Sequence, residues 1–169
     1  MAQTETQQYD VLRQLDEVEV RFYPSVMMAK FTSSGQASSG FRSLFNYISG
    51  GNTTNEKIAM TTPVHMEENV NGSSMAFVLP KKFSKQNTPT PSRKDVIVYE
   101  AAPGHFAAIT YSGYTNDKKE SVATQKIKAI LKANKIKIIG NPRVLSYNSP
   151  YKFYNRRNEI LIAVDPETF

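Results

Sequence analysis

The chain has 169 residues, no cysteine, and a formal net charge of +6 with a pI near 9.4. That length suits one domain with a substantial core. The missing cysteines exclude disulfides, thiolate metal sites and thiol catalysis, and no apolar run approaches the ~20 residues of a membrane-spanning helix.

The start, "MAQTETQQ", is polar and lacks the apolar heart of a signal peptide. A cytoplasmic location is expected, with export after removal of a signal as the alternative. The basic excess gathers in "KKFSKQNTPTPSRK" and at Lys126, Lys128, Lys132, Lys135 and Lys137. It reads as a solvated face or as attraction toward anionic ligands. Zinc-finger spacing and the aromatic-basic signature of an RNA-recognition strand are both missing, so no specific nucleic acid partner is expected.

In chain order, Val18, Val20 and Phe22 alternate as in a strand, Pro24-Ser25 turns, and "VMMAKFTSS" reads as a more buried strand ended by Gly35. Phe41, Leu44, Phe45 and Ile48 then follow helical spacing. Ser38 or Ser39 is placed to cap that helix, and Gly50-Gly51 to stop it. "KIAMTTPV" and "SMAFVLP" follow as strands. The second half repeats the order: strands "DVIVYEA" and "HFAAITYSG", and a helix from about Thr115 to Asn134. Ala123, Ile127, Ile130 and Leu131 form its apolar face. The strands "PRVLSY" and "EILIAV" close the chain.

Val18 to Gly35 and Val96 to Gly113 align without gaps, matching Val20 with Val98, Ala29 with Ala107, and Phe31 with Ile109. Two hairpins are expected there, as openings of a β-β-α-β-β unit used twice, about 9–80 and 95–165, with a linker about 81–94. Each unit has an apolar sheet face and one helix, so pairing the two buries what neither buries alone. The expected class is α+β: a distorted antiparallel β-barrel from two pseudo-symmetric repeats, flanked by two helices.

Reactive groups are sparse. The only histidines, His65 and His105, lack i, i+4 spacing and stand as candidates for a lone axial ligand or as structural residues. Glu67-Glu68 argue no acid pair. No nucleophile elbow, P-loop or dinucleotide fingerprint occurs. Nothing positive marks an enzyme. Apolar surface is abundant, with 9 Phe, 9 Tyr and 6 Met. A cleft for a flat hydrophobic ligand is expected beside the first helix, with Phe41, Leu44, Phe45 and Ile48 as candidate contacts, although core packing competes for Leu44 and Ile48. Arg156 and Arg157 read as an anion clamp or as a turn tied down through backbone carbonyls.

Three stretches, "YDVLRQLDEVEVRFYPS", "KIAMTTPV" and "YNSPYKFYNRRNEILI", together resemble the SOUL/haem-binding-protein family over about Tyr9 to Val164. The resemblance implies the duplicated barrel and non-catalytic binding of haem or another tetrapyrrole in a shallow apolar cleft beside helix one. It places Phe41 and Phe45 where cytosolic haem-binding members carry methionines. It also shows departures: Phe22 stands where some members carry a proposed axial histidine, and Asn46 where a basic residue could meet a propionate. Two alternatives remain open. One is a module for another hydrophobic ligand or a protein partner, similar to effector-binding domains. The other is a tetrapyrrole-modifying enzyme with His65 or Glu159 as proton donor. "KIAMTTPV" itself is expected to lock helix one, with Met60 and Val64 in the core.

Overall fold

A computed structural model describes residues 3–33, 39–149 and 151–169. The expected strand end at Gly35, the capping Ser38 and the turn residue Pro150 lie outside them. The strands are β1 (Glu5–Thr6), β2 (Asp10–Leu15), β3 (Val18–Tyr23), β4 (Val26–Ser33), β5 (Thr61–Thr62), β6 (Val64–Asn69), β7 (Gly72–Val78), β8 (Val96–Ala101), β9 (Gly104–Ser112), β10 (Arg143–Ser146) and β11 (Arg157–Ala163). The helices are α1 (Gly40–Ile48) and α2 (Asp117–Ala133). The α+β class with antiparallel sheets is the expected one.

The chain divides into two compact units. The first holds Met1–Gln7 and Ser25–Ala102, the second Gln8–Pro24 and Pro103–Phe169. In the first, antiparallel strands run in the order β6-β7-β4-β8 and α1 packs on β4, β7 and β8. In the second the order is β10-β11-β9-β3-β2, with α2 on β9 and β11.

These pairings correct the expected hairpins. β3 does not fold back on β4; Val18 pairs with Ile109 of β9, and Phe31 of β4 pairs with Val96 of β8. Pro24-Ser25 looks like a hairpin turn in sequence, yet the chain passes there from one unit to the other. The stretch 81–94 belongs to the first unit. A true hairpin joins β2 to β3: Asp16 takes a left-handed φ of 53°, and Leu15 pairs with Val18. Asp tolerates that conformation because its short side chain bonds locally.

α1 ends as its glycines dictate. Gly50 adopts φ 112°, and the amides of Ser49 and Gly51 close on Phe45 and Asn46 carbonyls. Ser39 occupies the N-cap, but its side chain makes no capping bond. In α2, Asn116 caps properly, accepting the Lys119 amide at 3.0 Å. "KIAMTTPV" is mostly not strand. The Ile58 amide donates to the Ile48 carbonyl at 2.8 Å, Ile58 is buried, and the Thr61 hydroxyl donates to the Val78 carbonyl. The segment thus fastens the end of α1 to its sheet, with Met60 and Val64 packed against the core.

Leu44, Tyr47, Ile48, Phe77 and Leu79 centre the first core, and Val18, Ile109, Ile127, Leu131, Ile160 and Ile162 the second. Each such side chain contributes about 1.5–3 kcal/mol by leaving water. Leu44→Ala and Ile127→Ala are each expected to lower stability by about 2–5 kcal/mol in urea unfolding, whereas a loss below about 1 kcal/mol would contradict the core assignment.

Candidate ligand face and a buried charge network

Helical geometry separates the four apolar residues of α1. At 3.6 residues per turn, positions 44 and 48 share one line and 41 and 45 another. Leu44 and Ile48 are buried against the sheet. They are therefore not ligand contacts, which corrects the expectation for both. Phe41 and Phe45 stay 44% and 51% exposed. Their rings stack at 5.9 Å and 14°, and Phe41 meets Phe77 edge-on at 5.6 Å. Arg42 and Asn46 share this exposed face, and Arg42 has no ion-pair partner among the described residues. Sequence reasoning missed Arg42, although its place beside Phe41 on a short helix was a usable signal. On the buried side, Ser43 donates to Asp95 at 2.9 Å, and Asp95 takes a forked pair of bonds from Arg93. The Arg93 bonds hold the Asp95 carboxyl down at about 2.

Arg156 and Arg157 lie in the second unit and are committed to structure. Arg156 donates to the Ser149 and Lys152 carbonyls at 2.7 and 2.6 Å and lies 4.3 Å over the Tyr114 ring. Arg157 donates to Glu159 at 2.7 Å and to Tyr9 at 3.2 Å, and lies 4.2 Å over Tyr147. These bonds favour the turn-bracing reading for both, while the Arg157 side chain stays 42% exposed.

The strongest electrostatic feature was not anticipated. On the sheet face opposite α2, Arg21 of β3 grips Glu159 of β11 through two bonds of 2.8 Å, both side chains buried. Tyr147 and Thr110 donate to the same carboxylate at 2.8 and 3.2 Å, and Arg21 also reaches Glu19 and Tyr23. With Arg157, five bonds saturate the carboxylate lone pairs. Burial alone pushes the Glu159 carboxyl up, but Arg21 and then Arg157 override it and hold it at about 2. Burial pushes Tyr23 up to about 12 and drives Tyr147 upward, reinforced by the Glu159 charge. The signal was present in sequence as Arg21 between Val20 and Phe22, and as Glu159 directly before the apolar run Ile160-Leu161-Ile162.

The histidines are apart from this network. His65 is buried and shares a 2.8 Å bond with Gln7. His105 pairs across strands with Phe22, their rings 5.3 Å apart. No cluster of three or more His, Asp or Glu residues suited to a metal occurs among the described residues. Two grooves, of about 620 Å³ beside β8 and about 520 Å³ between β9 and α2, do not reach the Phe41–Phe45 pair. No helix of the described residues is long and apolar enough to cross a membrane.

Fold and face together define an α+β module that offers aromatic surface, with its buried charges bound up in one another. Three solved structures share the fold: a hydrolase from Listeria innocua (TM-score 0.65, 6% identity, covering 91% of this chain and 94% of that one), the EcmrR C-terminal domain (0.63, 10%, 93% and 98%), and an uncharacterised conserved protein from Listeria innocua (0.67, 7%, 88% and 92%). At such identities the likeness concerns fold alone. No curated protein sequence matches the chain. The family model for the SOUL heme-binding protein matches residues 4–163, and the chain belongs to that family.

Because Glu159 is held below its ordinary value of 4.5, it contributes stability that is complete above that value and lost as pH falls through about 2. Stability should therefore decline between about pH 5 and 2, with a shallower slope in Glu159→Gln. That variant leaves buried Arg21 with only the partly exposed Glu19 as counter-charge and should cost about 3 kcal/mol at neutral pH. Denaturant midpoints across pH check both; an unchanged slope would remove Glu159 from this role.

Proposed function

We propose that the chain binds haem or a related tetrapyrrole, without reacting on it, against the Phe41–Phe45 face of α1. The observation that carries this reading is the pair itself: two rings stacked in parallel and half exposed, in a member of a haem-binding family. A porphyrin-sized plane gains contact area from such a surface without rearranging it. Arg42, beside Phe41, supplies a cation for a propionate where Asn46 cannot. The residues suit the macrocycle better than the iron: Phe22 takes the place of the proposed axial histidine and meets the His105 ring at a tilt.

That substitution favours one further reading, a different flat hydrophobic ligand or a protein partner on the same face. An enzymatic role for Glu159 is disfavoured, since a carboxyl held anionic at neutral pH donates no proton. We also infer that the chain is one SOUL domain made by duplication. Strand order around each helix supports this: β6-β7-β4-β8 with α1 parallels β10-β11-β9-β3 with α2. In that reading the first strands, β3 and β8, are exchanged.

Hemin titration followed at the Soret band tests the proposal. Saturable one-to-one binding is expected, weakened by about tenfold to a hundredfold in Phe41→Asp/Phe45→Asp. Arg42→Ala should lose about tenfold at low salt. Equal affinity in wild type and the double variant would remove the site from this face.

A further inference from the structure

Charge is segregated along this chain. Between Ser121 and Asn158 it has nine Lys and Arg residues and no Asp or Glu, although the whole chain carries 15 acids. The rest holds more acids than bases, so the net +6 originates in this one segment, which lies in the second unit. Toward its end, between β10 and β11, three rings project: Tyr151, Phe153 and Tyr154 are 90%, 77% and 63% exposed. Lys152 stands among them, its ammonium 5.9 Å from the Tyr154 ring.

The turn that carries these rings is braced. Arg156 holds the carbonyls of Ser149 and Lys152 and stacks on Tyr114, which precedes the α2 cap. The Arg157 amide donates to Asn148 at 2.6 Å. Three exposed aromatic side chains within four residues, two of them in ring contact, make an apolar surface of the kind that marks a contact site.

We propose that this patch docks the chain peripherally on an anionic lipid bilayer. The rings of Tyr151, Phe153 and Tyr154 enter the interfacial zone, Lys152 among them meets the lipid charges, and the chain's net charge of +6 favours the anionic surface. Tyrosine suits that zone because its ring goes in while the phenol hydroxyl stays at headgroup level, and the phenylalanine ring adds apolar contact beneath it. Lys152 extends its stem along the rings and keeps its ammonium in water. A shallow aromatic anchor binds weakly by itself, and surface cations lend the second attraction that reversible membrane binding requires. Single-stranded nucleic acid would need flat ring faces set out in a row. Here Phe153 and Tyr154 meet edge to face at 5.4 Å and 74°.

Flotation of the full chain, free of haem, with phosphatidylcholine vesicles containing or lacking phosphatidylserine is the test. Binding to the anionic vesicles alone is expected, weakening as salt rises. Tyr151→Ser/Phe153→Ser and, separately, Lys152→Glu should each reduce partitioning by about tenfold. All three side chains are outside both cores, so melting curves should match the wild type and show that the variants fold. Three results would overturn the proposal: no flotation at low salt, equal binding to neutral vesicles, or full partitioning of the double variant. Retention on poly(U) without vesicle binding would overturn it too and reassign the patch to nucleic acid.

Discussion

A carboxylate with no access to water must keep its charge matched, and in this protein Glu159 sets that requirement. Arg21 meets it through a forked contact, while Arg157, Tyr147 and Thr110 fill the remaining lone pairs. The partners come from β3, β9 and β11 and from the end of β10, so the pairing of those strands and the network are conditions of each other. A register slip of one residue would send Arg21 to the apolar face under α2 and Val20 into the charge cluster. Buried ion pairs are modest stabilisers compared with apolar packing, but losing either member is costly. The network therefore acts as a strong constraint on register.

The same arrangement explains the family motifs. "VRFYPS" and "YNRRNEILI" contain the two ends of the Arg21–Glu159 pair, and Tyr9 lies over Arg21 at 4.0 Å. "KIAMTTPV" serves the seat of α1. The residues by which the family is recognised in sequence thus maintain the scaffold. The exposed residues Phe41, Arg42 and Phe45 of α1 lie outside those motifs, and one scaffold can carry different surface chemistry at such positions.

Local rules were readable from sequence; long-range pairings were not. Helical spacing, the Gly50 stop and the Ile127–Leu131 stripe follow from short-range geometry and correspond to α1 and α2. Strand alternation showed which residues face inward, yet it carries no label for the partner strand. A short Pro-Ser connection suggests a hairpin because most such connections make one, and only the competition among strands for neighbours decides otherwise. At the site, four apolar positions on one short helix gave a broad stripe whose width exceeded the buried arc. Periodicity alone did not say that Leu44 and Ile48 would take the core and leave the two phenylalanines outside. Arg156 resembled an anion ligand because its partners are carbonyls, which every residue possesses and no side-chain pattern reveals.

The route of the chain between units has a consequence for its birth. β3 waits for β9: Val18 finds Ile109, and nothing near it in sequence can replace that partner. β4 likewise waits for β8 on one side. A nascent segment can form the β2–β3 hairpin and α1, but the open edges of β3 and β4 stay unsatisfied until β8 and β9, beyond residue 95, have been made. Such non-local closure slows folding and leaves strand edges exposed to other chains meanwhile.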